Sequence, residues 1–231
     1  MTTLLLVRHG QASFGAKNYD ELSPLGHRQS EVLGAHWRAT GFTADRWVAG
    51  AMTRQRSTGE SALKALGLNA SIGQHAGFDE YDHQGLIRSY LPVIATEDKD
   101  FSMSHRELFA DRKLFQRFFE KVVGCWLDGR EGSEPLKETW QAFCERSLEG
   151  IKAMAGDREG TAVAFTSGGV IAAALQQALS LDGRKAFELN WRVYNASTHT
   201  FRLGKRGLTL LGFNNISHLE LARDPGLLTF R

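Results

Sequence analysis

The chain has 231 residues, with 28 Lys and Arg against 26 Asp and Glu and a net charge of +2. Hydrophobic residues at 42% and charged residues at 23% exclude wholesale disorder, and so narrow a basic surplus excludes a surface built on many phosphate contacts to nucleic acid. Cys125 and Cys144 are too few for a disulfide framework and lack zinc-site spacing, and no apolar run approaches the ~20 residues of a membrane span. The stretch Met1 to Arg8 has no charged n-region and its apolar run stops at Arg8, so it does not read as a signal peptide. The expectation is a cytoplasmic protein of one domain, 1–231.

Thr2 to Val7 is a short, continuous apolar run of the kind found in buried parallel strands. A polar loop follows to Leu22. Ser23-Pro24 then supplies a cap and a first-turn proline, and the apolar spacing predicts a helix over Pro24 to about Thr40, ended by Gly41. Arg46 to Ala49 reads as a second strand, Met52 to Leu66 as a second helix ended by Gly67, and Leu68 to Gln74 as a third strand. From about 87 to 133 no strand pattern recurs. That stretch is charged and aromatic (Phe101, Phe109, Phe115, Phe118, Phe119, Trp126) and reads as a helical insertion whose rings form a packing stripe or an apolar wall over a substrate. Leu136 to Ala155 reads as a long helix. Thr161 to Thr166 is another apolar strand, followed by Ser167-Gly168-Gly169 and a helix over Val170 to Leu179. Val193 to Leu203 and Leu208 to Phe213 suggest a closing antiparallel pair. Strand–helix alternation of this kind gives an α/β fold with a mostly parallel sheet.

The chemistry concentrates at strand ends, where open α/β sheets bind their ligands. Arg8-His9-Gly10 closes the first strand, and a histidine there can act as nucleophile or base while an arginine grips a planar anion. Arg54 and Arg56 open the helix after the second strand. Asp79, Glu80 and Asp82 follow the third. Ser167-Gly168-Gly169 offers backbone N–H groups at a helix start after the fourth. Arginine, histidine, carboxylate and a glycine nest together describe a phosphate site with a nucleophile and an acid. Gln11 and Asn18 lie in the loop after His9 and are candidates to touch substrate. His27, His36 and His105 sit in helical patterns and read as structural, and Arg88, Arg106 and Arg112 as solvated, with one of them able to meet a second anionic group.

These segments resemble the histidine phosphatase superfamily, the phosphoglycerate mutase-like fold, over nearly the whole chain. Arg8-His9-Gly10 matches the signature after its first strand, Leu22 to Gly26 its L-(S/T)-x-x-G helix start, and Ala51 to Thr58 looks like its S-x-x-x-R-x-x-x-T segment. Phe78-Asp79-Glu80 resembles its L-x-E, Val163 to Ile171 its V-x-x-H-G-G-x-I, and Asn195 to Thr200 its N-x-S entry. The resemblance implies a three-layer α/β sandwich with a mostly parallel central sheet, helices on both faces and a helical insertion. It implies a phosphomonoesterase acting on a small molecule through a phosphohistidine on His9. Arg8 and Arg54 would clamp the phosphoryl group, Glu80 would serve as acid, and Gln11, Ser167 and Gly168 would line the site, with no metal or cofactor. Oligomeric state is open between monomer and homodimer.

One position departs from the family pattern. Its second histidine falls where this chain has Ser167, which exchanges a charge-assisted donor for a neutral one. By analogy with an oxyanion-hole donor the loss is about 3–4 kcal/mol of transition-state binding unless His83 or His199 substitutes. Ser167 therefore motivates an alternative reading, a weak or inactive member that binds a phosphorylated ligand or a protein partner. A phosphoglycerate-type mutase fits less well, because Arg88 to Pro92 does not resemble that branch's Arg- and Pro-rich segment.

Overall fold

The computed structural model describes residues 1–13, 20–102, 107–108, 111–156 and 159–230, the side chain of Arg112 apart. They fall into two compact units: Met1–Glu80 with Cys144–Arg231, and Tyr81–Phe143.

The first unit is built on a six-stranded sheet in the order β3-β2-β4-β1-β5-β6. Its strands are β1 (Thr2–Arg8), β2 (Arg46–Ala49), β3 (Gly73–Gln74), β4 (Gly160–Thr166), β5 (Thr198–Gly204) and β6 (Gly207–Asn215). The pairings β1/β4, β2/β4 and β2/β3 are parallel, and β5 is antiparallel to both of its neighbours, β1 and β6. Among the described residues, helices with bounds are α1 (Pro24–Thr40), α2 (Thr53–Leu66), α3 (His83–Glu97), α4 (Arg112–Leu127), α5 (Trp140–Ala155), α6 (Gly168–Leu179), α7 (Gly183–Asn190) and α8 (Ser217–Leu221).

Period-two alternation in β1 sends its side chains to two faces, and both are buried. Leu5 and Val7 pack with Leu33 and Trp37 of α1, Ala62 and Leu63 of α2, and Trp47 and Phe165. Leu4 and Leu6 face the other way, where α6 covers β1 and β6. Helices on both faces of a mostly parallel sheet give the three-layer α/β sandwich that the sequence implies.

Local chemistry sets the element ends. Ser23 accepts the Gly26 N–H at 3.1 Å, Pro24 opens α1, and Gly41 closes it with φ 66°. Gly67 closes α2 with φ 83°. Three predicted spans come out shorter. The third strand is only Gly73–Gln74, because β2 is a four-residue strand that offers partners at Val48 and Ala49 alone. The helix expected from Leu136 starts at Trp140, where Thr139 caps it by accepting the Ala142 N–H at 3.1 Å. The strand expected from Val193 starts at Thr198, because Val193 to Ser197 turn back to bind the backbone beyond β1. The sequence pattern predicts neither α7 nor α8.

The second unit lies between β3 and β4 in the chain. Asp82 caps α3 by accepting the Gly85 N–H at 2.9 Å, and Asp111 caps α4 through the N–H groups of Lys113 and Leu114. Its aromatic residues do pack. Phe101 and Phe118 are fully buried with ring centroids 5.8 Å apart, and Phe115 stacks on Phe119 at 5.8 Å. Trp126 sits among Tyr81, Trp140 and Phe143. Phe109 lies outside the described residues. Among the described residues no helix is long and apolar enough to cross a membrane.

The turn after β1 is pressed against the start of α1. A Cβ on Gly10 would collide with the Gly26 carbonyl, and a Cβ on Gly26 with the Gln11 carbonyl. Gly26→Ala must therefore push α1 off this turn, an overpacking cost of about 1–3 kcal/mol. The expected result is a melting temperature lower by roughly 3–10 °C in calorimetry. An unchanged melting temperature would show that the helix retreats at no cost.

Candidate active site

The carboxyl ends of β1 and β4 are joined by the register pairing Arg8 with Thr166, and the His9 N–H donates to the Thr166 carbonyl at 2.8 Å. The His9 carbonyl accepts from the Ala196 N–H and from Asn195 Nδ2, each at 3.2 Å. Its backbone is thus held from both sides. The ring is also fixed. Nδ1 lies 2.7 Å from the Gly10 carbonyl, which can only accept, so Nδ1 carries the proton. Arg54 Nε–H donates to Nε2 at 3.3 Å, so Nε2 presents its lone pair.

His9 keeps 6% of its surface exposed and Arg54 4%. Burial, then the positive charges of Arg54 and Arg8, hold the imidazole well below the usual histidine range, against the opposing pull of the Gly10 carbonyl. A neutral ring can attack without prior deprotonation once its Nε2 lone pair is released from the Arg54 Nε–H that it accepts. Arg54 is itself aimed by an ion pair with Asp20 at 2.8 Å, and Asp20 also accepts the Thr53 N–H at 2.8 Å. Thr58 ties the two segments together. It accepts from the Gly10 N–H at 3.0 Å and donates to the Arg54 carbonyl at 2.7 Å. Arg8 donates from Nη1 to the Val193 carbonyl.

The three carboxylates after β3 have separate surroundings. Asp79 accepts the Ala51 N–H at 2.6 Å and Asp82 caps α3. Glu80 Oε2 accepts the Gly169 N–H at 3.2 Å in the first turn of α6. Arg8, His9, Arg54, Glu80, Ser167 and Gly168 are all in the first unit. Gln11 is tied into the turn: its side-chain Oε1 accepts from Ser23 Oγ at 2.9 Å, and its N–H donates to Gln29 at 2.8 Å. Gly168 is buried where a Cβ would collide with Asn190 of α7, so its smallness also serves helix packing.

The second-histidine position is occupied by Ser167, fully buried at the start of α6. His199 does not supply a cationic imidazole in its place. Its Nδ1 accepts the Asn214 N–H at 3.2 Å, its Nε2 faces Ser197 Oγ at 3.1 Å, and burial with Arg8 nearby lowers its pKa to about 3. His83 opens α3 in the second unit. Asn18, His105 and Arg106 lie outside the described residues. His27 meets Ser61 at 3.0 Å, and His36 lies beside His218 with ring centroids 6.1 Å apart. Arg88 reaches Asp82 at 3.9 Å. Sequence reasoning missed Asp20, Thr58 and Gln55. Thr58 and Gln55 both lie within the motif Ala51 to Thr58, whereas Asp20 carries no signal in the sequence, since its arginine partner is 34 positions away.

The family model of the histidine phosphatase superfamily (branch 1) matches residues 4–216. The chain belongs to the histidine phosphatase superfamily. No protein of curated function matches the sequence. Among solved structures, a phosphoserine phosphatase mutant of Entamoeba histolytica in complex with phosphoserine is similar at TM-score 0.64 and 16% identity, over 95% of this chain and 100% of that one. A phosphoglycerate mutase from Bacillus anthracis gives TM-score 0.65 and 16% identity over 96% and 97%. A mycobacterial glucosyl-3-phosphoglycerate phosphatase complexed with VO3 gives TM-score 0.62 and 20% identity over 94% and 100%. At these identities the likeness is one of fold.

Three buried histidines make stability depend on pH. His9 lies well below its usual value, His199 at about 3 and His218 at about 4. The unfolded chain takes up these protons near pH 6.5 while the folded chain does not, so stability is lost as pH falls below about 6.5. Each ring contributes a slope of about 1.4 kcal/mol per pH unit between its two pKa values. Urea unfolding at several pH values between about 7 and 5 should show this decline. A flat profile over that window would mean that the rings protonate normally in the folded protein.

Proposed function

We propose that this member of the superfamily is a phosphomonoesterase that acts on small phosphorylated molecules through a phosphohistidine on His9. The observation that carries the reading is the fixed tautomer of His9, buried and neutral, with Nε2 facing the Arg54 guanidinium. An entering phosphoryl group takes over the Arg54 Nε–H and frees the Nε2 lone pair for in-line attack. Nε2 bonds to phosphorus, the ester P–O bond breaks, and the leaving oxygen takes a proton from Glu80. The Glu80 carboxylate then accepts a proton from water as the water oxygen attacks phosphorus. The P–N bond breaks and Nε2 regains its lone pair. Arg8 and Arg54 balance the charge of the phosphoryl oxygens, and the backbone N–H groups at the start of α6 add neutral donors.

Glu80 is the carboxylate best placed for the acid role. Asp79 is spent on the Ala51 amide and Asp82 on the α3 cap, whereas Glu80 accepts the Gly169 N–H in the first turn of α6. The absence of a histidine at position 167 favours a second reading, a weak or inactive member that holds a phosphorylated ligand. Turnover by the unaltered protein above that of His9→Ala separates the two. The site's groups lie within the first unit, so each subunit of a cytoplasmic homodimer would carry its own site.

His9→Ala is expected to lower p-nitrophenyl phosphate turnover by roughly 10³-fold or more and to abolish an acid-labile, base-stable phosphoenzyme. Full activity in this variant would overturn the mechanism. Glu80→Gln should slow alkyl phosphates by roughly 10²-fold or more, with a smaller loss on p-nitrophenyl phosphate, whose leaving group needs no proton. Equal losses of kcat/KM, which reports the transfer to His9 alone, on both substrates would assign Glu80 a structural role.

A further inference from the structure

A buried amide stands behind the site. Gln55 follows Arg54 in α2 and is fully buried, as is Ser167. Gln55 Nε2 is 2.9 Å from the Phe78 carbonyl and 2.7 Å from Ser167 Oγ. A carbonyl can only accept, so the amide nitrogen must face Phe78, and its second hydrogen must go to Ser167. Ser167 Oγ is therefore an acceptor towards Gln55, and its own proton has to point elsewhere. Among the described residues the hydroxyl makes no other hydrogen bond, and it does not cap α6.

Gly50 belongs to the same arrangement. A Cβ there would collide with Gln55 Oε1, so the amide can lie in this place only because residue 50 lacks a side chain. The Phe78 carbonyl also accepts from Thr166 Oγ1 at 2.8 Å. Gln55 thus links the segment leading to Glu80, the β4–α6 corner and the helix that carries Arg54.

We propose that Gln55 is a positioning residue: it fixes Ser167 as a neutral hydrogen-bond donor to the phosphoryl group and holds the Glu80 segment against the β4–α6 corner. This rests on the phosphoryl-binding role given above to His9 and the two arginines. Gly50, Gln55 and Ser167 form one interdependent set that fills the volume of a larger side chain at 167 and serves the anion without charge. An imidazole introduced at 167 meets the Gln55 amide. Room for it requires a smaller residue at 55.

The test is a double-variant cycle read by vanadate binding in calorimetry, with p-nitrophenyl phosphate turnover and melting temperature measured alongside. Ser167→Ala and Gln55→Ala should each weaken vanadate by roughly five- to tenfold, and the double variant should lose no more than either alone. Ser167→His alone should not raise turnover. Gln55→Ala with Ser167→His should raise it, and should give vanadate binding that strengthens as pH falls through the range of a histidine, a dependence a merely structural role would not create. Unchanged vanadate affinity in Ser167→Ala, or additive losses in the double variant, would overturn the inference. Should Gln55→Ala fail to fold, Ser167→Ala and Ser167→His still decide it, since a gain in turnover from Ser167→His alone contradicts the interdependence. Absence of both vanadate binding and turnover in the unaltered protein would instead overturn the proposed function.

Discussion

The hydrogen bond between His9 Nδ1 and the Gly10 carbonyl, 2.7 Å long, sets the state of everything around it. It places the proton on the inner nitrogen and leaves Nε2 to face Arg54. A cationic ring there would stand beside two guanidinium groups in a site nearly closed to water, which is why the neutral form is kept. That geometry in turn needs a backbone that does not move. The His9 N–H is tied to β4 and its carbonyl to Asn195 and Ala196. Gly10 can lie flat on α1 only because neither it nor Gly26 has a side chain.

Charge in the site is distributed by backbone as much as by side chains. Asp20 aims Arg54, so part of the guanidinium's positive charge is already balanced before any anion arrives. The remaining donors are neutral. They come from the start of α6, whose first turn also receives the Glu80 carboxylate. In this corner Ser167 stands where the family pattern has a histidine, and it lies against Gln55, both fully buried. Neutral donors do not titrate, so of the groups in this corner only the Glu80 carboxylate can change charge with pH, whereas arginine stays charged throughout.

Much of the fold was legible because it depends on short-range rules. The apolar run of β1 and β4, the Ser23-Pro24 cap and the Gly41 and Gly67 stops are local in the chain, and each forms where the residues indicate. The third strand was overestimated because its length is decided by how much of β2 is available to pair with, a quantity its own residues do not contain. Val193 to Ser197 read as strand by composition, yet they turn back to hold His9.

The same division runs through the site. The sequence by itself determined that Arg8 and His9 stand at a strand end, and that Arg54 and Glu80 fall in the segments that follow strands, because strand ends are marked by local pattern. It also showed that residue 167 is a serine. Only the tertiary structure decided which nitrogen of His9 carries the proton, which carboxylate reaches α6, and that Gln55 lies against Ser167 across 112 positions of chain. Tautomers, buried amide orientations and glycine-to-backbone contacts depend on atoms brought together from distant segments. A linear pattern records the residue types available for such contacts, and packing alone selects which of them meet.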